Sequence, residues 1–82
     1  MDEKEFKLRR IKYLVFHRAS SEMEEILQKA LVRVDLYSLD SEDLDAVLEA
    51  VSLYDRDLEE ILFRGGSAPE KVRRGLKVLG LM

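Results

Sequence analysis

The chain is expected to fold as an all-α protein, a single small five-helix bundle, and three features of its sequence predict this. Apolar residues recur at helical spacing in almost every segment, no stretch alternates cleanly enough to be a strand, and residues that start or stop helices bound the apolar stripes. Eighty-two residues are room for one domain. A domain of that size buries only about 60% of the surface its unfolded chain exposes, so its stability margin is thin. There is no cysteine, which removes disulfides and thiolate-held metal as reinforcement. Helix packing must therefore carry the fold, and a hydrophobic content of 46% is enough to build a core and to reject global disorder.

The first helix is expected over residues 4–17, with Phe6, Tyr13 and Phe16 anchoring it to the core while Lys7, Arg9, Arg10 and Lys12 face water. The second spans 21–35 and carries Met23, Ile26, Leu27, Ala30, Leu31 and Val34 on one face. Ser21 with Glu24 three residues later fits a capping box, the hydroxyl taking one orphan backbone N–H and the carboxylate reaching back to another. The third helix covers 41–53 with Leu44, Val47, Leu48 and Val51 inward. Asp40 is its N-cap, and Glu42 and Asp43 lie near its positive end. The fourth covers 56–64 with Leu58, Ile61 and Leu62 inward, Asp55 as cap and Asp57 in the first turn; Gly65 and Gly66 stop it. The fifth runs over 69–80 with Val72, Leu76 and Leu79 on its stripe and Pro69 in its first turn, where a missing N–H does no harm. The connections are short, so successive helices should pack as neighbours. No linker, second domain or internal repeat interrupts the pattern.

Charge is distributed unevenly. Residues 1–18 hold six Lys or Arg against three acids, a net of +3; residues 19–64 hold four against thirteen, a net of −9; residues 65–82 hold four against one, a net of +3. An acidic midsection disfavours wrapping on nucleic acid, because phosphates repel it. No apolar run approaches the roughly 20 residues of a membrane-spanning helix, and the charged first 20 residues lack the apolar core of a secretory signal. The expectation is a cytoplasmic monomer that does not insert into a membrane.

Catalytic chemistry is hard to place on this chain. His17 is the only histidine and has no second imidazole or thiolate with which to share a metal. As a general base it would need a nucleophile and an orienting carboxylate, and helix capping explains the nearby Ser20 and Ser21 better. The run Asp40-Ser41-Glu42-Asp43-Leu44-Asp45 alternates oxygen ligands but lacks the central glycine and terminal glutamate of a calcium loop, so it reads as a capped, solvated helix start. Gly65-Gly66 lacks the lysine and hydroxyl residue of a phosphate loop. The basic residues Lys7, Arg9, Arg10 and Lys12, interleaved with aromatics, admit a weaker reading as a nucleic-acid surface in a helix-turn-helix protein. Tyr37 and Tyr54 fall in loops, packing over helix ends or presenting a contact surface. The residues themselves favour a protein-binding domain over an enzyme, with no metal or cofactor of its own.

One segment is more specific. Arg18-Ala19-Ser20-Ser21-Glu22 follows a basic helix containing Arg9, Arg10 and Tyr13 and opens a second helix at Met23-Glu24-Glu25-Ile26-Leu27. Leu39-Asp40-Ser41-Glu42-Asp43, Leu48, Asp55-Arg56-Asp57-Leu58 with Ile61-Leu62, and a helix led by Pro69 come after it in order. Over residues 9 to 80 this arrangement resembles the succinate dehydrogenase assembly factor family, the small flavinylation factors. In that family an arginine-glycine-x-x-glutamate motif joins the first two helices and an aspartate-rich stretch opens the fourth. Ala19 stands where the family has glycine, Ile61 where it usually has tryptophan and Arg56 where proline is common. A methyl at position 19 narrows both backbone freedom and the approach of a partner.

The resemblance implies a concrete job. Such factors bind the flavoprotein subunit of succinate dehydrogenase or fumarate reductase and promote covalent attachment of FAD to one of its histidines, without making the bond themselves; the FAD belongs to the partner. Carried onto this chain, Arg18 and Glu22 become motif charges at the partner surface, Ala19 the point of closest approach, and Arg9, Arg10 and Tyr13 supporting contacts. The alternative for Arg18 and Glu22, four residues apart, is that they pair with each other. Arg18→Ala and Glu22→Ala are each expected to fold nearly normally and to weaken binding. A different helical adaptor remains the rival reading.

Overall fold

The computed structural model describes residues 2–82, and among these five α-helices and one short 3-10 turn account for the regular structure, with no strand. The helices are α1 (Glu3–Phe16), α2 (Ser21–Arg33), α3 (Ser41–Val51), α4 (Asp55–Phe63) and α5 (Glu70–Val78). The 3-10 turn, Leu36–Ser38, fills the connection that the second apolar stripe was expected to run into, and α2 ends at Arg33, short of the expected residue 35. A radius of gyration of 11.8 Å matches the roughly 12 Å of a closed globule this long, so the helices form one body.

Each start has a local cause. Asp2 accepts the Glu5 N–H, and Asp40 accepts the Asp43 N–H at 2.8 Å, as the capping rule requires. At α2 the cap is Ser20, one residue earlier than expected, whose hydroxyl accepts the Met23 N–H at 3.2 Å. Glu24 does not close a box on that cap; its carboxylate lies 3.4 Å from the Arg18 N–H instead. Asp55 is the first residue of α4 rather than its cap, because its carboxylate is engaged elsewhere. Gly65, at φ +69°, stops α4 as the glycine pair implies, and the Gly66 N–H returns to the Glu60 carbonyl.

The core collects Leu8, Ile11 and Val15 from α1, Met23 and Leu27 from α2, Leu44, Val47 and Val51 from α3, Leu58 and Ile61 from α4, and Val72, Leu76 and Leu79 from the end of the chain. Packing does not simply follow chain order. The most extensive interface joins α3 to α5; α1 packs on α3 and, to a lesser extent, on α2. The reason is a notch of small residues. A Cβ on Gly75 would stand 2.1 Å from the Ala46 carbonyl oxygen and 3.0 Å from the Ala50 methyl, so the two backbones meet where neither helix has bulk. The acidic run at 40–45 does more than cap α3. Asp43 and Glu42 bind Arg74 on α5 at 2.8 and 3.3 Å, and Asp45 binds Lys7 on α1 at 2.6 Å.

Lys7 is accordingly not a water-facing member of the basic cluster, and the Asp45 hydrogen bond pushes its ammonium pKa upward. The same bond holds the Asp45 carboxyl below the usual carboxylate range. The aromatics of α1 depart further from expectation. Phe6, Tyr13 and Phe16 are 59%, 59% and 51% exposed, because Leu8, Ile11 and Val15 already fill the inward stripe.

Candidate functional site

The four residues between α1 and α2 are held by one ion pair that reaches across the bundle. Arg18 turns inward, and its side chain is only 6% exposed. Nε donates to Asp55 Oδ1 at 2.7 Å, Nη1 donates to the carbonyls of Val51 at 2.6 Å and Leu14 at 3.3 Å, and Nη2 donates to the Leu53 carbonyl. Leu14 lies in the last turn of α1, and Val51 and Leu53 lie at and just beyond the end of α3. These are carbonyls that helix ends leave without partners, and a cation there also meets the negative ends of two helix dipoles. Asp55 completes the arrangement. Its second oxygen accepts the Ser20 N–H at 2.8 Å, so one carboxylate ties the start of α4 to the start of α2. A single Arg–Asp pair thus joins the ends of four helices.

This corrects the expectation for Arg18. Its donors are committed inside the fold, so it is not a charge offered to a partner, and it does not pair with Glu22. The other motif positions do face outward. Ala19 and Glu22 are both exposed, and Glu22 makes no ion pair among the described residues. Ala19 lines a depression of about 410 Å³ together with His17, Leu53 and Tyr54, a residue 80% exposed.

The exposed surface continues along α1. The His17 ring stacks on Tyr13 with centroids 4.1 Å apart, and its Nδ1 lies 2.9 Å from the Tyr13 carbonyl, so the one histidine caps the end of its own helix. Tyr13 is followed toward the N-terminus by Arg10, Arg9 and Phe6 at spacings of three and four residues, all exposed. Arg9 pairs with Glu5 at 3.2 Å, an exposed pair of little energetic weight. Arg9, Arg10 and Tyr13 therefore lie where a partner could reach them. On another side of α1, Phe16, Val32 and Tyr37 line a second depression of about 280 Å³, and the Lys12 ammonium stands 5.8 Å from the Tyr37 ring centroid.

For catalytic chemistry the arrangement offers little. Ser20 is used as a cap, and the carboxylates of 40–45 are used as a cap and in ion pairs. Among the described residues no three His, Asp or Glu side chains are grouped to hold a metal ion, and no helix is long and apolar enough to cross a membrane. Sequence reasoning assigned Asp55 a capping role and missed its contact with Arg18. The available signal was an aspartate placed just ahead of the fourth apolar stripe, but nothing local says which distant cation it meets. In comparisons with known protein families, curated proteins and solved structures, nothing matches this chain.

Proposed function

We propose that this domain is an assembly factor that docks on the flavoprotein subunit of succinate dehydrogenase or fumarate reductase and promotes covalent FAD attachment there. Two things support the reading: the resemblance of residues 9–80 to the flavinylation factors, and a pinned α1–α2 junction that turns Ala19 and Glu22 outward. The first names the partner, and the second carries the docking surface. A segment fixed before it meets its partner loses little conformational entropy on binding, so more of the contact energy appears as affinity.

The exposed Tyr13, His17 and Tyr54 rings and the Arg9 and Arg10 guanidinium groups extend that surface. Tyrosine and arginine are the residue types that most often dominate interface energetics. The domain acts by preferring one conformation of the subunit, in which flavin and acceptor histidine meet in reactive geometry. Such positioning lowers a barrier only to the extent that this conformation is bound more tightly than its alternatives. The flavin and the reacting histidine both belong to the partner.

Co-expression with the organism's own flavoprotein subunit tests the proposal. Covalent flavin, read as fluorescence of the subunit on a denaturing gel, should rise when this protein is present. Equal fluorescence with and without it rejects the proposal. The exposed depression at Phe16, Val32 and Tyr37 favours a second reading, an adaptor for a different polypeptide. Recovery of an unrelated partner that loses affinity on Val32→Asp, with no flavoprotein bound, would select that reading instead.

A further inference from the structure

We infer that Arg18 and Asp55 are positioning residues: their ion pair, anchored on α4, sets the shape of the 18–22 segment that a partner reads, although neither side chain faces the partner. The inference rests on the proposed docking function and assigns the motif arginine a role opposite to direct contact. Three observations carry it. The Arg18 guanidinium is nearly enclosed and spends four donated hydrogen bonds on Asp55 and on the carbonyls of Leu14, Val51 and Leu53. The free oxygen of the same carboxylate holds the Ser20 backbone N–H, which lies between Ala19 and Ser21. The residues left outward, Ala19 on one side and Ser21 and Glu22 on the other, flank that held amide.

The segment is therefore restrained from two sides. Arg18 fixes where the chain leaves α1, and Asp55 fixes where it enters α2. Among the described residues no other side chain bonds to the Ser20 N–H. An amide in place of the carboxylate leaves one acceptor oxygen for two donors; the Arg18 cation claims it and the Ser20 N–H is freed, while the core residues of α3 and α5 keep their contacts. The expected failure is thus a loosened junction on a folded domain.

Asp55→Asn is the test, because an amide keeps the shape of the carboxylate but cannot offer two acceptor oxygens to two donors. Amide hydrogen exchange read by NMR should quicken at Ser20 at least tenfold more than it does at the Val47 and Leu76 amides. Affinity for the purified flavoprotein subunit should fall about tenfold. Glu22→Ala should weaken the same affinity without changing exchange at Ser20. In the Glu22→Ala background Asp55→Asn should cost less than twofold more, since positioning a contact that is already gone has nothing to lose.

Additive losses would show that Asp55 acts through general stability, and they overturn the inference. So does unchanged exchange at Ser20, or quickened exchange with unchanged affinity. Arg18→Lys, which keeps the charge but replaces the fork with one ammonium, supplies the same readouts if Asp55→Asn does not fold. If the parent domain itself fails to bind the subunit, the docking function falls and with it the claim that a partner reads this segment. The exchange profile then still decides whether the pair sets its shape.

Discussion

Replacing Gly75 with alanine tests the α3–α5 contact directly. On an isolated helix the change is favourable by about 1 kcal/mol, because alanine loses less backbone entropy than glycine. Here the new methyl carbon would stand 2.1 Å from the Ala46 carbonyl oxygen and 2.6 Å from its carbonyl carbon. Comfortable separation is roughly 3.5 Å, so α5 must retreat by more than about 1 Å. Both obstacles are backbone atoms in the middle of a helix and cannot swing aside. The retreat also pulls Val72 and Leu76 away from a closely packed core.

Overpacking costs about 1–3 kcal/mol, and a rigid obstacle places this case at the upper end. After the propensity gain, a net loss of about 2 kcal/mol remains. For a domain of this length that corresponds to a fall in Tm of about 8–16 °C. Thermal and urea unfolding followed by far-UV circular dichroism measure it, with the exposed Lys77→Ala as a control that should change stability by less than about 0.5 kcal/mol. A Gly75→Ala protein as stable as its parent would mean that α3 and α5 do not meet at this notch.

Other outcomes follow from the same geometry. Arg18→Ala should cost about 3–5 kcal/mol in urea unfolding, because it strands the Asp55 carboxylate in a mostly enclosed site, and a loss under 1 kcal/mol would contradict that enclosure. Glu22→Ala should leave stability within about 0.5 kcal/mol and, on the proposed docking function, lower covalent flavinylation of the flavoprotein subunit; a wild-type flavin yield would remove Glu22 from the docking surface. Tyr13→Ala should act in the same direction, read by the same gel. Finally, Asp45 titrates below its ordinary value in the folded protein because Lys7 is bonded to it. Its contribution is fully present above the unfolded carboxyl value of about 3.9 and is lost as pH falls through the lower folded value. Stability measured by urea unfolding should thus fall on acidification below about pH 4, and Asp45→Asn should flatten that part of the profile; an identical acid limb in the variant would show that the Lys7 bond contributes nothing.

The helices and their inner faces were legible because a 3.6-residue period is written into each segment. Leu44, Val47 and Val51, or Val72, Leu76 and Leu79, identify their own buried side without outside information. The Asp40 cap and the Gly65-Gly66 stop were legible for the same reason, since both act within a few residues. Relations between distant segments were not. Arg18 looks like a surface charge until Asp55, 37 residues away, is placed beside it. Phe6, Tyr13 and Phe16 look like anchors until the narrower Leu8, Ile11 and Val15 stripe is seen to suffice. Gly75 carried a signal that could have been used. A glycine inside an apolar stripe is a local cost, and Ala46 and Ala50 are spaced four apart to receive it. At the candidate site, helix spacing located the junction, and the family resemblance set Arg18, Ala19 and Glu22 on its surface, where Ala19 and Glu22 are indeed exposed. Arg18 instead turns inward.

The distance along the chain between Arg18 and its counter-ion has a consequence for synthesis. While a ribosome has delivered only the first two helices, the carboxylate that shapes their connection does not yet exist outside the exit tunnel. Nascent or truncated chains lacking the fourth helix would carry every outward residue of the junction without its final form. A partner selective for that form would pass over chains whose fourth helix has not yet emerged.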